Sequence, residues 1–190
     1  MEATLDVLDT QLLVYMANEA EPWAVDLHEE ILQGERIVFL PRYVATEFYQ
    51  VMERNRGEEG ADIAWEHLTT LSEIPAAVVP HPNRFRVDVH AIRNHATTRT
   101  LAAVCDMEPK DAPILATVYR LTEFIEAYDP PSHSQEAIPN DPEEFRLKRL
   151  LNEVGVDTIT ARILTNETNF IRVDPDSVGL DTVAVKQIPE

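Results

Sequence analysis

Cysteine, lysine and long apolar runs are what this 190-residue chain has least of. Cys105 is the only cysteine, which excludes an internal disulfide and a thiolate metal site. Lysine occurs only as Lys110, Lys148 and Lys186, so arginine carries most of the positive charge. No stretch approaches the roughly 20 apolar residues that span a bilayer, and no membrane association is expected. The opening residues lack the basic flank and apolar core of a signal peptide, so the expected location is the cytoplasm. Also missing are the glycine patterns GxxxxGK[ST] and GxGxxG that cradle phosphates, and the HExxH pattern of zinc proteases. His90 and His95 stand five apart, which does not place them on one helix face.

What the chain has in excess is acid: 34 Asp and Glu against 16 Lys and Arg, net −18, with a pI of about 4.6. Disorder is one meaning of such a charge, but 44% hydrophobic residues suffice for a folded core. The length fits one domain. An acidic, lysine-poor surface points to adaptation to high salt, where self-repulsion is screened; an acidic protein of ordinary salt is the alternative. Phosphate contacts to nucleic acid weaken steeply with salt, because counterion release drives them. A protein of this composition acting on RNA needs local basic residues, metal ions and recognition of shape. One segment, His81 to Arg99, is locally basic: Arg84, Arg86, Arg93 and Arg99 stand against Asp88 alone. It fits an RNA contact and a solvated helix face equally well.

Periodicity predicts strands at 4–8, 37–40, 76–79, 162–164 and 183–185. Helices are predicted at 9–18, 23–33, 42–54, 61–71, 86–96, 100–104, 111–127 and 143–153. Pro41 opens the third helix, and Gly57 and Gly60 bracket a turn before the fourth. Residues 128–142 carry Pro130, Pro131, Pro139 and Pro142 amid polar residues, the composition of an exposed loop or insertion. Short apolar strands alternating with helices imply a parallel sheet covered on both faces.

Four acids stand where such a sheet does chemistry. Asp9 directly follows the first strand, and open parallel sheets bind ligands beyond their strands' carboxyl ends. Helix capping would also explain an Asp there. Glu47 is more informative: at about 100° per residue, it falls between Tyr43 and Val51 on an arc shared with Val44 and Phe48. A glutamate on an apolar face is costly unless paired or bound to metal; at the edge of the stripe it would reach water. Asp111 precedes an apolar helix with Pro113 in its first turn, again a capping position. Glu167 follows another strand, where an ordinary polar turn is the alternative. Acids converging at strand ends raise one another's pKa, and bound Mg²⁺ or Mn²⁺ relieves this through carboxylate and water oxygens. Such an ion also acidifies its water and stabilises charge on a phosphodiester under attack.

Taken in order, four segments resemble a known family. Val7-Leu8-Asp9-Thr10-Gln11-Leu12-Leu13-Val14-Tyr15 is similar to the opening motif of the PIN-domain ribonucleases, the family of the VapC toxins. There the first strand ends in an Asp followed by a small hydroxyl residue. Leu40-Pro41-Arg42-Tyr43-Val44-Ala45-Thr46-Glu47-Phe48 resembles the second motif, with its helical Glu. Asp111-Ala112-Pro113-Ile114-Leu115-Ala116-Thr117 resembles the third, an Asp-Ala pair opening an apolar helix. Leu164-Thr165-Asn166-Glu167-Thr168-Asn169-Phe170 resembles the fourth, a strand-end Thr followed by acids and Phe.

The resemblance spans most of the chain and implies a single three-layer α/β/α domain with a mostly parallel sheet. It implies a Mg²⁺ or Mn²⁺ site held by Asp9, Glu47, Asp111 and Glu167, and cleavage within single-stranded RNA. Thr10, Thr165 and Asn169 would orient carboxylates or touch substrate. A toxin-like role would add an antitoxin protein, and family behaviour a second copy of the chain, to RNA as partners. Departures are specific: Glu167 stands where the family usually has Asp, Asn169 where a further Asp often occurs, and Gln11 where Asn or Ser is commoner. The 128–142 segment and an extra helix also separate the third and fourth motifs. These departures motivate a second expectation, a catalytically impaired PIN domain that binds RNA or protein. A haloacid-dehalogenase-like phosphatase would need a second Asp at position 11, where this chain has Gln11.

Overall fold

The structure, a computed structural model, describes residues 2–126, 142–167, 170, 173–174 and 183–189. Strands β1 (Glu2–Leu8), β2 (Ile37–Phe39), β3 (Ala77–Val78), β4 (Thr158–Thr165) and β5 (Val183–Gln187) form one sheet, ordered β3-β2-β1-β4-β5. Every pairing is parallel. Helices α1 (Thr10–Ala17) and α2 (Pro22–Leu32) join β1 to β2, and α3 (Arg42–Ser72) joins β2 to β3. Between β3 and β4 come α4 (Val89–Arg93), α5 (Ala96–Val104), α6 (Ala112–Glu126) and α7 (Pro142–Val154). Leu5, Val7, Leu8, Val38, Phe39, Ile163 and Leu164 are all buried. That continuous apolar pattern belongs to strands covered on both faces, in the expected three-layer α/β/α arrangement. No helix among the described residues is long and apolar enough to cross a membrane.

From β1 the chain winds outward through β2 and β3, then returns to the other side of β1 as β4. The winding therefore reverses between β1 and β4, and the crevice beyond their carboxyl ends is the ligand position of open α/β sheets. Leu8 pairs with Leu164 at that end, and Asp9 N donates to Leu164 O at 3.0 Å.

Three elements differ from expectation. α4 starts only at Val89, because the Asp88 side chain accepts from Ala91 N at 2.9 Å and caps it there. α5 begins at Ala96, capped by His95 Nδ1 accepting from Thr97 N. The turn bracketed by Gly57 and Gly60 shrinks to Gly57 alone, whose φ of 64° and ψ of −140° break α3 into two arms. Gly60 lies inside the second arm. A Cβ on it would sit 2.1 Å from the Met52 carbonyl oxygen, so the missing side chain lets the arms close. Gly60→Ala is expected to cost about 1–3 kcal/mol by overpacking. An unchanged urea midpoint would show that the arms do not press together there. The 128–142 segment lies outside the described residues except for Pro142, the first residue of α7.

Two histidines mark the contact of α2 with the second arm of α3. The His67 ring is 7% exposed and lies 4.7 Å from His28 and 5.7 Å from Phe48, centroid to centroid. The Nε2 atoms of both histidines are buried without a hydrogen-bond partner. Burial chiefly, and the nearby His28, lower the His67 pKa from 6.5 to about 3. The unfolded chain therefore takes up a proton that the folded chain refuses between these values. Stability from this residue is complete above pH 6.5 and falls as pH drops towards 3. At pH 5 the loss is about 2 kcal/mol, and His67→Leu should lose less stability than the parent between pH 7.5 and pH 5. Equal losses in the two proteins would locate the acid sensitivity elsewhere.

Candidate active site

Asp9 occupies the N-cap position of α1, with extended backbone (φ −81°, ψ 154°), yet its side chain makes no capping hydrogen bond. Its Oδ2 instead accepts from Thr165 Oγ1 at 2.8 Å. Capping therefore does not account for this residue. The Thr165 hydroxyl oxygen also accepts from Glu167 N at 3.0 Å, which folds the chain after β4 back beside Asp9. Burial raises the Asp9 pKa, the Thr165 bond opposes, and the charges of Glu167 and Glu47 add, leaving it at about 6.

Glu47 lies on the first arm of α3, with Oε2 accepting from Thr10 Oγ1 at 2.5 Å and Oε1 ion-paired to Arg93 Nη2. The glutamate on the apolar arc is thus a paired one. One turn earlier, the Tyr43 hydroxyl donates to Lys110 O at 2.7 Å and accepts from Arg93 Nε at 2.9 Å. Burial and the charge of Glu47 push the Tyr43 phenol above its ordinary range, so it stays protonated. For Arg93, burial is outweighed by its bonds to Tyr43 and Glu47, and its pKa rises.

Thr46 explains how Arg93 arrives there. Its hydroxyl lies 2.7 Å from Arg42 O and 3.0 Å from Phe85 O, and accepts from Val87 N at 3.2 Å. These contacts tie the segment before α4 to α3. Arg86, in the same segment, stacks over Tyr49 at 4.9 Å.

Asp111 immediately precedes α6. Burial raises its pKa most, Lys110 opposes, and Glu167, Asp9 and Glu108 raise it further, to about 7. Lys110 Nζ lies 3.7 Å from Glu167 Oε1 and 3.6 Å from Glu108 Oε2. The fold therefore brings Asp9, Glu47, Asp111 and Glu167 into one electrostatic neighbourhood. Even so, no group of three or more His, Cys, Asp or Glu among the described residues is placed to hold a metal ion. The two findings agree, because charges act over longer distances than metal–oxygen bonds of about 2.0–2.6 Å. Arg93 draws Glu47 towards Tyr43, and Lys110 draws Glu167 to its own side. In chemistry, if not in spacing, these residues are oxygen donors of the kind a hard divalent cation takes: carboxylates whose ionisation is disfavoured first by burial and then by one another's charge.

Thr10 and Thr165 each donate a hydrogen bond to a carboxylate; Asn169 lies outside the described residues. Sequence reasoning misses Arg93 and Lys110 as members of the site and marks Tyr43 only as a neighbour on the Glu47 arc. The one trace of Arg93 is its place in the basic segment, part of which turns out to be internal counter-charge. Comparison of the chain with family models, curated proteins and solved structures gave no match.

Proposed function

We propose that this chain is a divalent-metal-dependent endoribonuclease acting on single-stranded RNA. The observation that carries the reading is the shared electrostatic neighbourhood of Asp9, Asp111 and Glu167 beyond the ends of β1 and β4, with Asp9 and Asp111 raised to about 6 and 7. Those three would hold Mg²⁺ or Mn²⁺, with Glu47 beside them. When bound, such an ion supplies a more acidic water and stabilises charge on the phosphodiester. Thr165 fixes the orientation of Asp9, and Thr10 that of Glu47. Arg93 and Lys110, ion-paired to Glu47 and Glu167, offset part of the acids' charge at the crevice, which lessens the repulsion a phosphate would meet there. The choice of RNA, and restraint by an antitoxin, rest on the four-motif resemblance.

The test is cleavage of a labelled single-stranded RNA pool in high KCl with Mn²⁺, Mg²⁺ or EDTA, beside Asp9→Asn. Cleavage that needs metal and vanishes in the variant supports the reading. Equal cleavage by wild type and variant overturns it.

A second reading is favoured by the Glu47 clasp. With Arg93, Thr10 and Tyr43 all on its carboxylate, Glu47 is not free to ligate as placed. A catalytically impaired domain would keep that clasp and bind RNA or protein without cutting. RNA binding that persists in EDTA, with no cleavage in any metal, would favour it.

A further inference from the structure

A cavity of about 600 Å³ opens beside the carboxylates, between α3, α4, α5, α6 and α7. Tyr43 is the shared wall: it lines the cavity while its hydroxyl contacts Arg93 and Lys110 O in the site. Pro113, two residues after Asp111, lines it as well. The inner surface is mainly apolar, supplied by Phe39, Val87, Ile92 and Leu121. Thr97, Thr117, His95 and Arg120 add polar groups around it.

Among the described residues the cavity's lining contains one acid, Glu143, and Arg42 is ion-paired to it at 3.0 Å. Arg120 is exposed and makes no ion pair among the described residues. Among the described lining residues the charge that makes no ion pair is thus that of Arg120, in a chain of 34 acids and 16 bases. The volume is that of ordinary small-ligand sites, about 300–1,000 Å³. An apolar, aromatic-edged wall suits the face of a planar base, and hydroxyls suit its edge.

We infer that this cavity takes the nucleobase of the RNA nucleotide flanking the bond to be cut, with Arg120 meeting the adjoining phosphate. The inference rests on the ribonuclease reading for its placement, but its ligand class can be tested without cleavage. Binding of the four ribonucleoside 5′-monophosphates to the whole chain in EDTA would be followed by NMR titration. At least one is expected to bind, about tenfold more weakly in Arg120→Ala. Ala116→Trp, which fills the cavity, should remove binding. Since that variant risks misfolding, Arg120→Ala, an exposed change, is the deciding variant. In the RNA pool, both variants should flatten the base preference at one position beside the cut, while Asp111→Asn reports on the nuclease reading alone. Nucleotide binding without cleavage in any metal would sink the nuclease and keep the cavity as a nucleotide site. No nucleotide binding, with an unchanged cleavage profile in Arg120→Ala, overturns the inference. So does a cavity variant that loses only a protein partner while cutting RNA normally.

Discussion

Asp111→Asn should lower RNA cleavage by more than about a hundredfold while raising the melting temperature of the metal-free protein at pH 8. The first effect follows from the place that the proposed nuclease function gives it in a metal's donor set: even partners outside a metal's ligand shell typically cost about 10–100-fold when removed. The second follows from linkage. The Asp111 pKa is about 7 in the folded chain against 3.8 for the free side chain, because burial and the charges of Glu167 and Asp9 disfavour ionisation. Between those values the folded state keeps a proton that the unfolded state has lost. Stability therefore falls as pH rises through that window, and above pH 7 the full penalty persists. A tenfold change in proton affinity is worth about 1.4 kcal/mol; allowing for solvent screening at this half-buried position, the penalty is about 2 kcal/mol. An amide carries no charge to desolvate, so the variant escapes it. Activity and stability pull in opposite directions here, as is common where a site must hold unfavourable charge.

The check is a set of melting curves in EDTA and in Mn²⁺, at pH 5.5 and pH 8. Mn²⁺ should stabilise wild type at pH 8 and do little for Asp111→Asn. Asp9 has its pKa raised to about 6 for similar reasons, but Asp9→Asn must also keep the Thr165 bond, so its gain should be smaller. A lower melting point for Asp111→Asn in EDTA at pH 8 would instead make this carboxylate a structural partner, and the donor-set argument would fail.

Asp6→Asn, three residues before Asp9, should do the reverse and cost about 3 kcal/mol. Asp6 is 1% exposed in the middle of β1. Its register partner on β4, Arg162, donates from Nε to Oδ1 at 2.7 Å and from Nη2 to Oδ2 at 2.9 Å. Arg36, just ahead of β2, adds Nη1 at 2.9 Å and ties onward to Glu30 at 2.6 Å. Burial would lower the Arg36 pKa, but its bonds to Asp6 and Glu30 win and raise it. Removing the carboxylate charge leaves two guanidiniums facing each other against the sheet. The loss should persist in high KCl, because pairs this buried are poorly screened. A urea-derived cost below about 1 kcal/mol, in low or high salt, would show the arginines to be solvated rather than committed to Asp6.

These two aspartates show how far the sequence could be read. Both interrupt or end the same apolar run, and nothing local separates them. Asp6 is answered by Arg36 and Arg162, and Asp9 meets Thr165, Glu167 and Glu47, because of which strands lie beside β1. Partners 30 to 156 residues away are invisible to periodicity.

Local chemistry was legible where local forces decide. Apolar runs became the five strands, Gly34 and Pro41 punctuated as expected, and helical spacing placed Glu47 against Tyr43. Asp9 and Glu167 follow strands and Glu47 lies on its helix arc as the sequence indicated, and a parallel sheet gathers such positions at its carboxyl ends. The break in α3 was half legible: Gly57 has the positive φ a glycine announces, but Gly60 serves a backbone approach that only the folded arms create. The bonds that bring Arg93 and Lys110 to the site, and the cavity behind Tyr43, were the work of tertiary structure. By itself, then, the sequence determined which elements form and which residues carry charge. The packing of α4 and α6 against α3 decided which charges meet, because ion pairing and burial depend on distance in space, not along the chain.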